Sequence, residues 1–401
     1  MAGLTFMLMV GLCPGGGLRA ADAVPPGSPA STPVTASLEF KETPYIITSQ
    51  VVPQTRQATP FAHEPAAAGN TTRGFLNLAG SGNAIPFLWQ RTAGKLYLNL
   101  NHRPDFSTNA PGVTVAHASS LGTVQMFNNL HLPFVSLAGE RPLLADLEIY
   151  DLGSQPYVIL MVRSFWQGRV TLSGRDWQVG LVPNTLGSSE EGRLLLRSWE
   201  RRERPFTIAA TGLDTIPFSR KLFLDGHAYG LKLVTNAPAG AAGPALQFAE
   251  QSVALGDLKI TGQFIQRLVL PDGPYLVVLD QPAGVVKIPT GNYGQPDVLL
   301  ARNGTEAYSL AGGLPGGASY GRLSGGRISV DEKAPAELTA GGPLTNGVTA
   351  SRSGEELVLS YHLTGIGGET YQLANDNRTH PPEFAIRQGA RKIASGQFEF
   401  G

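Results

Sequence analysis

The sequence predicts an all-β fold, and three observations support this prediction. Apolar residues recur at every second position in many short segments, which is the spacing of a strand with one buried face. Glycine (49) and proline (30) together make up almost a fifth of the 401 residues without a short period, which favours many turns between short strands. A hairpin pattern also recurs three times along the chain. We therefore expect two or three β-sandwich-like modules in series.

The overall composition narrows the classes of function. Hydrophobic residues form 42% of the chain and charged residues 15%, and the 31 basic and 31 acidic side chains cancel. A chain with no net charge has no excess of basic residues to attract a phosphate backbone, so the composition argues against nucleic-acid binding. The length exceeds that of one ordinary domain, since a domain averages roughly 150 residues.

The N-terminus is predicted to be a signal peptide over residues 1–23. Residues 4–12 are nearly all apolar, glycines follow, and Ala20–Ala23 offers small residues for cleavage. The apolar run is too short to span a bilayer of about 30 Å, so we expect no transmembrane segment in the mature chain. The single cysteine, Cys13, lies in this stretch. These features predict an extracytoplasmic protein, secreted or periplasmic.

The rest of the chain divides by composition. Residues 24–37 are rich in Pro, Ser, Thr and Ala and are predicted to be a solvated linker. The length and short strands of the C-terminal part suit an immunoglobulin-like sandwich, although the Cys and Trp hallmarks are missing. The predicted segments that follow the linker are β module 1 (38–208), β module 2 (209–310), a Gly-rich linker or loop (311–326) and a C-terminal β-sandwich-like module (327–401).

A recurring hairpin is the strongest internal signal. Each copy has two alternating apolar positions, a turn with glycine, an aromatic residue and two further apolar positions. Glycine tolerates the positive φ of a tight turn, and period-two spacing places the apolar side chains on one face. The copies are Val170–Leu181 with the turn Ser173–Gly174, Leu222–Leu233 with the turn Asp225–Gly226, and Leu268–Leu279 with the turn Pro271–Gly273.

The charge-dense stretch Glu190–Arg204 is the best candidate for a helix. It lacks an apolar stripe beyond Leu194–Leu196 and Trp199, so it fits equally well a strand that ends in an exposed basic loop. The basic residues of this loop are Arg197, Arg201, Arg202 and Arg204. We interpret them as a solvated surface, with anion binding as the alternative reading.

Two segments distantly match motifs of functional sites. Asn99–Phe106 resembles a calcium loop, but Arg103 occupies a ligand position and Pro104 replaces the glycine, so we interpret it as an Asn-rich turn. Gly317–Gly321 matches the nucleophile elbow Gly-x-Ser-x-Gly. That elbow requires a strand before the serine and a helix after it, and here it lies in a glycine tract.

The remaining candidates for catalysis or metal binding are scattered. Asp146 and Glu148 share a strand face, with Leu147 and Ile149 on the other, which a half-exposed strand explains fully. Paired carboxylates cleave glycosidic bonds, so Asp146, Glu148 and Asp151 are the only acidic group we consider for hydrolysis. The histidines form no i,i+4 or His-x-His pair, and there is no thiol cluster, so we expect no zinc site.

The four tryptophans are candidates for stacking on sugar rings. Trp177 occupies the apolar face of the hairpin pattern and is predicted to lie in the core. For Trp89, Trp166 and Trp199 we expect partial burial rather than an aromatic platform.

These observations predict an exported, non-catalytic β-rich protein with a binding or structural role at the cell envelope or outside the cell. A glycan or a protein is the expected ligand, because β modules present loops and sheet faces for recognition. The alternative is a secreted hydrolase, such as a carboxylate-dependent glycosidase, or an accessory module of one. The sequence predicts no catalytic, cofactor-binding or metal-binding residue and no cofactor.

Overall fold

The structure is a computed structural model, and the parts of the chain that it describes belong to one compact unit that begins at Thr32. The predicted signal peptide, residues 1–23, and the predicted Gly-rich segment, residues 311–326, lie outside the described residues. The described residues are 32–66, 70–78, 84–107, 110–119, 122–136, 139–151, 156–182, 192–204, 213–234, 243–310, 327–373 and 381–398.

Strands make up nearly all of the regular structure in these ranges. In the first half of the chain they are β1 (Val34–Ser37), β2 (Glu39–Glu42), β3 (Thr48–Val51), β4 (Gln54–Arg56), β5 (Thr71–Leu76), β6 (Ile85–Gln90), β7 (Lys95–Asn99), β8 (Val113–His117), β9 (Val124–Ser136), β10 (Gly139–Asp151), β11 (Pro156–Val162), β12 (Ser164–Leu172), β13 (Arg175–Val182) and β14 (Arg193–Ser198). The second half contains β15 (Thr215–Pro217), β16 (Lys221–Leu224), β17 (His227–Val234), β18 (Ala245–Gln251), β19 (Leu255–Thr261), β20 (Ile265–Leu270), β21 (Leu276–Asp280), β22 (Gly284–Pro289), β23 (Gly291–Tyr293), β24 (Asp297–Arg302), β25 (Thr305–Ser309), β26 (Ile328–Val330), β27 (Ala336–Thr339), β28 (Thr345–Ser353), β29 (Glu356–Thr364), β30 (Thr370–Leu373), β31 (Glu383–Gln388) and β32 (Arg391–Gln397).

The prediction of an all-β fold is confirmed. In the described ranges the strands are interrupted by one turn of 3-10 helix, Trp199–Arg201, and by the helical residues Leu213 and Asp214. Within the described residues there is no helix that is both long enough and apolar enough to cross a membrane. The immunoglobulin-like detail of the C-terminal module stays a prediction.

The strands form several sheets, of which two matter most for function. The large sheet has 11 described strands in the order β1-β18-β17-β16-β21-β20-β24-β25-β30-β29-β28. The second, which we name the cleft sheet, has the order β15-β14-β13-β12-β2. The smaller sheets are β4-β5-β6-β7-β8, β3-β11-β10-β9, β22-β19-β27, β23-β26 and β31-β32.

Three large apolar cores lie among the described strands, besides a small cluster of Phe61, Leu88 and Phe106. The first packs one face of the cleft sheet, including Trp177 and Leu194, on large-sheet residues such as Leu222 and Leu246. A second core joins β4–β8 to β3 and β9–β11, and a third fills the space between the large sheet and the sheet β22-β19-β27. The cleft sheet therefore has one face committed to the first core, which leaves part of its other face for polar residues.

All three predicted hairpins form as antiparallel pairs: β12 with β13, β16 with β17 and β20 with β21. The first two have two-residue turns in which both residues take positive φ, at Ser173–Gly174 and at Asp225–Gly226. Such turns match the right-handed twist of the strands that they join. The hairpins themselves are thus present, while their origin as copies of one repeated unit stays a prediction.

The third hairpin differs from the other two in its burial. Its predicted apolar face, with Leu268 and Val277, lies in the third core, whereas Val269 and Val278 on the opposite face lie in the first core. Both faces are buried because β20 and β21 lie inside the large sheet between two layers. A continuous apolar run has no polar positions to indicate which face a given core will cover.

The predicted linker, residues 24–37, needs a correction at its end. Its last four residues, Val34–Ser37, form β1 and pair with β18, and Ala36 is fully buried. Pairing with a sheet edge satisfies the backbone of this segment in spite of its small and polar side chains. The large sheet also contains strands from both sides of residues 311–326, and the division into modules at the predicted boundaries stays a prediction.

The turn of the second hairpin permits a test of backbone strain. We expect Gly226→Ala to lower the free energy of unfolding by about 1–2 kcal/mol, because a Cβ is disfavoured at its φ of +84°. No heavy atom lies within 4 Å of that Cβ, so the loss is conformational and not steric. Gly122→Ala is the control, since its Cβ would meet ordinary contacts at 3.6 Å and beyond. Equal urea unfolding curves for the two variants would contradict this interpretation.

Candidate ligand-binding cleft

The polar face of the cleft sheet forms the floor of an open cleft. On β12, Trp166 and Val170 point into the first core, and Gln167 and Arg169 between them point into the cleft. This division follows from the alternation of side chains along a strand. The cleft therefore lies on the side of the sheet opposite Trp166.

Two buried polar side chains form the base of the cleft. The guanidinium of Arg197 donates from Nε to Oε1 of Gln178 over 2.6 Å. Gln178 in turn donates from Nε2 to Oε1 of Gln167, which is half-buried at the cleft surface. Only 5% of Gln178 and 2% of Arg197 is exposed. Hydrogen bonding between neighbouring strands thus fixes the orientation of the amide groups at the base.

Arg197 also holds the segment that forms one wall of the cleft. Its Nη2 donates to the carbonyl of Arg202 over 2.6 Å and its Nη1 to the carbonyl of Arg204 over 3.1 Å. Burial lowers the pKa of Arg197 from its usual value, and the nearby carboxylate of Asp214 partly opposes that shift. The contacts tie residues 199–204 to strand β14 and so define the position of the wall.

Trp199 lies in this wall between cationic neighbours. The guanidinium carbons of Arg169 and Arg202 lie 4.8 and 5.0 Å from the centre of its ring system, within the range of cation–π contacts. Arg202 also donates from Nη1 to the carbonyl of Trp199 over 3.0 Å. Arg169 forms an ion pair with Asp176, which lowers the pKa of that carboxyl through a hydrogen bond. Both arginines are thus held against the indole.

Residues 39–45 form the opposite wall. Lys41 and Glu39 form an ion pair at 2.8 Å, and the hydrogen bond from Lys41 lowers the pKa of Glu39. Glu39 is therefore ionised at neutral pH and acts as a hydrogen-bond acceptor. The ring of Tyr45 is 43% exposed and adds an aromatic surface near the rim.

The cleft has a volume of about 630 Å³, which is within the range of pockets that bind small molecules. Amides, carboxylates and guanidinium groups surround aromatic rings, which is the mixture that binds hydroxyl-rich ligands with apolar ring faces. Its lining residues are Ser37, Glu39, Lys41, Glu42, Thr43, Tyr45, Phe165, Gln167, Gly168, Arg169, Gln178, Arg197, Trp199, Arg202, Glu203 and Arg204.

The structure separates the predicted basic cluster into two parts. Residues 193–198 form a strand, so the interpretation as a strand that ends in an exposed basic loop is confirmed for Arg202 and Arg204. Arg201 lies in the 3-10 turn, and only 14% of its side chain is exposed. The expectation that Arg197 is exposed is wrong, because it lies within the strand and is buried. Its hydrogen bonds to two loop carbonyls compensate for the loss of water around its charge.

The segment Asn99–Phe106 forms a turn held by hydrogen bonds of its own side chains. Nδ2 of Asn99 donates to the carbonyl of Asp105 over 2.7 Å, and its Oδ1 accepts from the N–H of Asn101 over 3.0 Å. Asp105 accepts from the N–H of Ser107 over 2.9 Å. Oδ1 of Asn99, one of the oxygens considered as a calcium ligand, thus stabilises the turn itself. No group of three or more His, Cys, Asp or Glu side chains suited to a metal lies within the described ranges.

Of the carboxylates on β10, Glu148 is half-buried as a half-exposed strand requires, but Asp146 is buried, with only 7% of its surface exposed. Leu147 and Ile149 are fully buried in the second core, while Asp146 on the other face accepts hydrogen bonds from the N–H of Asn129 and from Arg163. Asp146 is thus committed to the strand and its neighbours. The elbow-like segment Gly317–Gly321 lies outside the described residues.

The four tryptophans differ in how deeply they are buried. Trp177 is fully buried, which confirms its prediction as a core residue, and Trp166 is buried beside it in the same core. Trp89 is buried and donates to Oε1 of Gln125 over 2.8 Å. Trp89 and Trp166 are thus more deeply buried than expected. Trp199 is half-buried, as expected.

The cleft contains candidate binding residues that the sequence did not predict: the amides of Gln167 and Gln178 and the ring of Tyr45. The available signal was weak: Gln167 and Arg169 are polar positions on an otherwise apolar strand, and Gln178 lies between the apolar Trp177 and Val179. Alternation predicts that these residues share a sheet face. It cannot show that residues 39–45, from a distant part of the chain, close the other side.

Comparison with known proteins identifies no relative. No protein-family model matches the chain, and neither a curated protein nor a solved structure shows a significant match. The residues of the cleft are therefore the basis for a proposal about function.

Proposed function

We propose that this protein is an exported, non-catalytic binding protein that holds a glycan in the cleft. One observation carries the proposal: the polar face of the cleft sheet brings oriented amides, ionised carboxylates and guanidinium groups together with aromatic rings in one open cleft. Sugar hydroxyls need both donors and acceptors, and the apolar faces of sugar rings pack on aromatic side chains. Export follows only from the predicted signal peptide and stays part of the proposal.

The state of Glu39 supports a role in binding. A glycosidase needs one carboxyl with a raised pKa as its general acid. Lys41 lowers the pKa of Glu39, which suits an acceptor of hydrogen bonds and not a proton donor. The secreted hydrolase remains the second candidate function, and release of reducing sugar ends is the result that would favour it.

The test is a glycan array with the mature chain, followed by calorimetric titration of the glycans that bind. We expect Tyr45→Ala to weaken binding about tenfold, because the exposed ring supplies a stacking surface. We expect Gln167→Ala to weaken it about threefold to tenfold through the loss of hydrogen bonds. Both side chains are at least partly exposed, so folding should persist.

Tyr157→Ala is the matched control, because this half-buried tyrosine lies outside the cleft and contacts Tyr150. It should leave the affinity unchanged. If no glycan binds the chain, or if the Tyr45 and Tyr157 variants bind equally well, the proposed function is wrong.

A further inference from the structure

We infer that the glycan in this cleft is acidic, and that its carboxylate or sulfate group binds to Arg169 and Arg202 beside Trp199. The inference rests on the proposed function, since it names the class of glycan for the same cleft. Its basis is the arrangement of cations on the wall formed by residues 199–204.

The first observation is the balance of charge around the cleft. Five cationic side chains line it against three carboxylates, although the whole chain has no net charge. The cationic residues of the cleft are Lys41, Arg169, Arg197, Arg202 and Arg204, and its carboxylates belong to Glu39, Glu42 and Glu203. Each cation lies within ion-pair distance of an acid, and the acids that face Arg169, Arg197 and Arg204 lie outside the lining: Asp176, Asp214 and Glu306. Recognition of an anion therefore depends on the N–H donors that these ion pairs leave unused.

The second observation is the distribution of these charges between the two walls. The first wall carries Arg202 and Arg204, with Arg169 against its indole and Glu203 beside Arg202, while Glu39 and Glu42 lie on the opposite wall together with Lys41. An acidic sugar presents both an anionic group and hydroxyl groups. The arginine wall suits the anion, and the carboxylates across the cleft suit the hydroxyls as acceptors.

The third observation is that the two stacked arginines are oriented and retain free donors. Arg202 donates from Nη1 to the carbonyl of Trp199, and its Nε lies 3.1 Å from Glu203, but no described residue accepts from its Nη2. Arg169 bonds Asp176 through Nη2, and no described residue accepts from its Nε or Nη1. A guanidinium fixed against a ring loses less side-chain freedom when an anion binds.

Arg197 has a different role and is a positioning residue. Its donors are directed to Gln178 and to the carbonyls of Arg202 and Arg204, so it fixes the backbone of the arginine wall. Only 2% of Arg197 is exposed, so it acts on the ligand by holding these neighbours in place. We therefore assign recognition of the anion to Arg169 and Arg202.

The test compares four oligosaccharides of equal length by calorimetric titration with the full mature chain. They are a hexuronic acid oligomer, the same oligomer with its carboxyl groups reduced to primary alcohols, a neutral hexose oligomer, and that hexose oligomer after sulfation. We expect at least one acidic oligomer to bind about tenfold or more tightly than its neutral counterpart. The affinity for the acidic oligomer should fall as salt rises, whereas that for the neutral ones should not. The uronate and sulfate arms decide which anionic group the cleft prefers.

Variants of Arg202 locate the effect. We expect Arg202→Gln to reduce the affinity for the acidic oligomer about tenfold and that for its neutral counterpart by much less. Arg202→Lys keeps the charge without the planar fork and should lose about threefold. The matched control is Arg302→Gln, since Arg302 is exposed and stacks on Phe264 at 4.5 Å, outside the cleft.

The outcomes separate this inference from the proposed function. Equal binding of each acidic oligomer and its neutral counterpart, lost in the Tyr45 variant, would overturn the acidic preference and leave glycan binding intact. Tighter acidic binding that Arg202→Gln and Arg302→Gln affect equally would overturn the assignment to Arg202. Binding of none of the four oligomers, together with a blank glycan array, would overturn both.

Discussion

We expect Arg267→Met to lower the free energy of unfolding by about 3–5 kcal/mol, which is the usual cost of removing one partner from a buried ion pair. Arg267 has no exposed surface, and its Nε donates to Oδ1 of Asp280 over 2.6 Å and its Nη2 to Oδ2 over 3.1 Å. Its Nη1 donates to the carbonyls of Leu196 and Leu213. Methionine fills much of the same volume but leaves a carboxylate and two carbonyls without these donors. Urea unfolding measures the loss.

The pH dependence of this loss has a defined sign. Burial raises the pKa of Asp280, but attraction to Arg267 outweighs burial, and the net pKa lies below the usual value for aspartate. A carboxyl with a lowered pKa stabilises the fold above its unfolded pKa of about 4, and this contribution disappears as pH falls through the folded pKa. The difference between wild type and Arg267→Met should therefore be full at pH 7 and shrink in acid, starting above about pH 4 because less positive charge opposes the burial of Asp280 in the variant. A difference that grows towards acid would contradict the pairing.

Two further variants distinguish loss of the ion pair from a general failure to fold. Arg267→Lys keeps a buried cation but not the paired hydrogen bonds, so it should lose less than Arg267→Met. In the double variant Arg267→Met/Asp280→Leu the orphaned carboxylate is also absent, and we expect it to be more stable than the single variant. If the double variant is less stable than Arg267→Met, the ion pair is not the source of the effect.

The second large effect concerns the first core. Trp177→Ala should lower the free energy of unfolding by about 3–5 kcal/mol, because the fully buried indole leaves a cavity that its neighbours only partly fill. Arg175 stacks on this ring at 4.7 Å and also pairs with Asp225 over 3.0 Å. Its loss therefore removes support for contacts with the turn of the second hairpin. Chemical denaturation followed by circular dichroism is the measurement.

Trp199→Ala is the matched control, because it removes the same side chain from a half-buried position. We expect a loss below about 1 kcal/mol, as for most surface substitutions, together with weaker glycan binding. Trp177→Phe retains most of the core volume and should cost less than Trp177→Ala. Equal losses from the alanine variants at positions 177 and 199 would show that burial does not distinguish the two sites.

The buried ion pairs also bear on how the predicted modules meet. Arg197 and Arg201 precede the predicted boundary after residue 208, and both approach the carboxylate of Asp214, at 3.7 and 3.9 Å. Arg267 lies 3.5 Å from the same carboxylate. This shared acid links the cleft sheet to the large sheet. Substitutions at Asp214 should therefore affect both the stability of the fold and the geometry of the cleft.

Local patterning was sufficient to predict the all-β fold, the three hairpins and the burial of Trp177. The reason is that alternation and turn residues act over a few neighbouring residues, and these are visible in the chain. The same logic left Glu190–Arg204 open between a helix and a strand that ends in a basic loop. It placed Arg197 on the surface, since charge alone favours exposure and the compensating carbonyls are revealed only by the folded loop.

The cleft itself required the tertiary structure. Tyr45 and Glu39 come together with Arg202 only because β2 pairs with β12, more than 120 residues further along the chain. The sequence likewise could not show which face of the third hairpin packs on which core, because both of its faces are apolar. Period-two spacing predicts which side chains share a face of a strand, whereas the long-range pairing of strands decides what lies opposite that face.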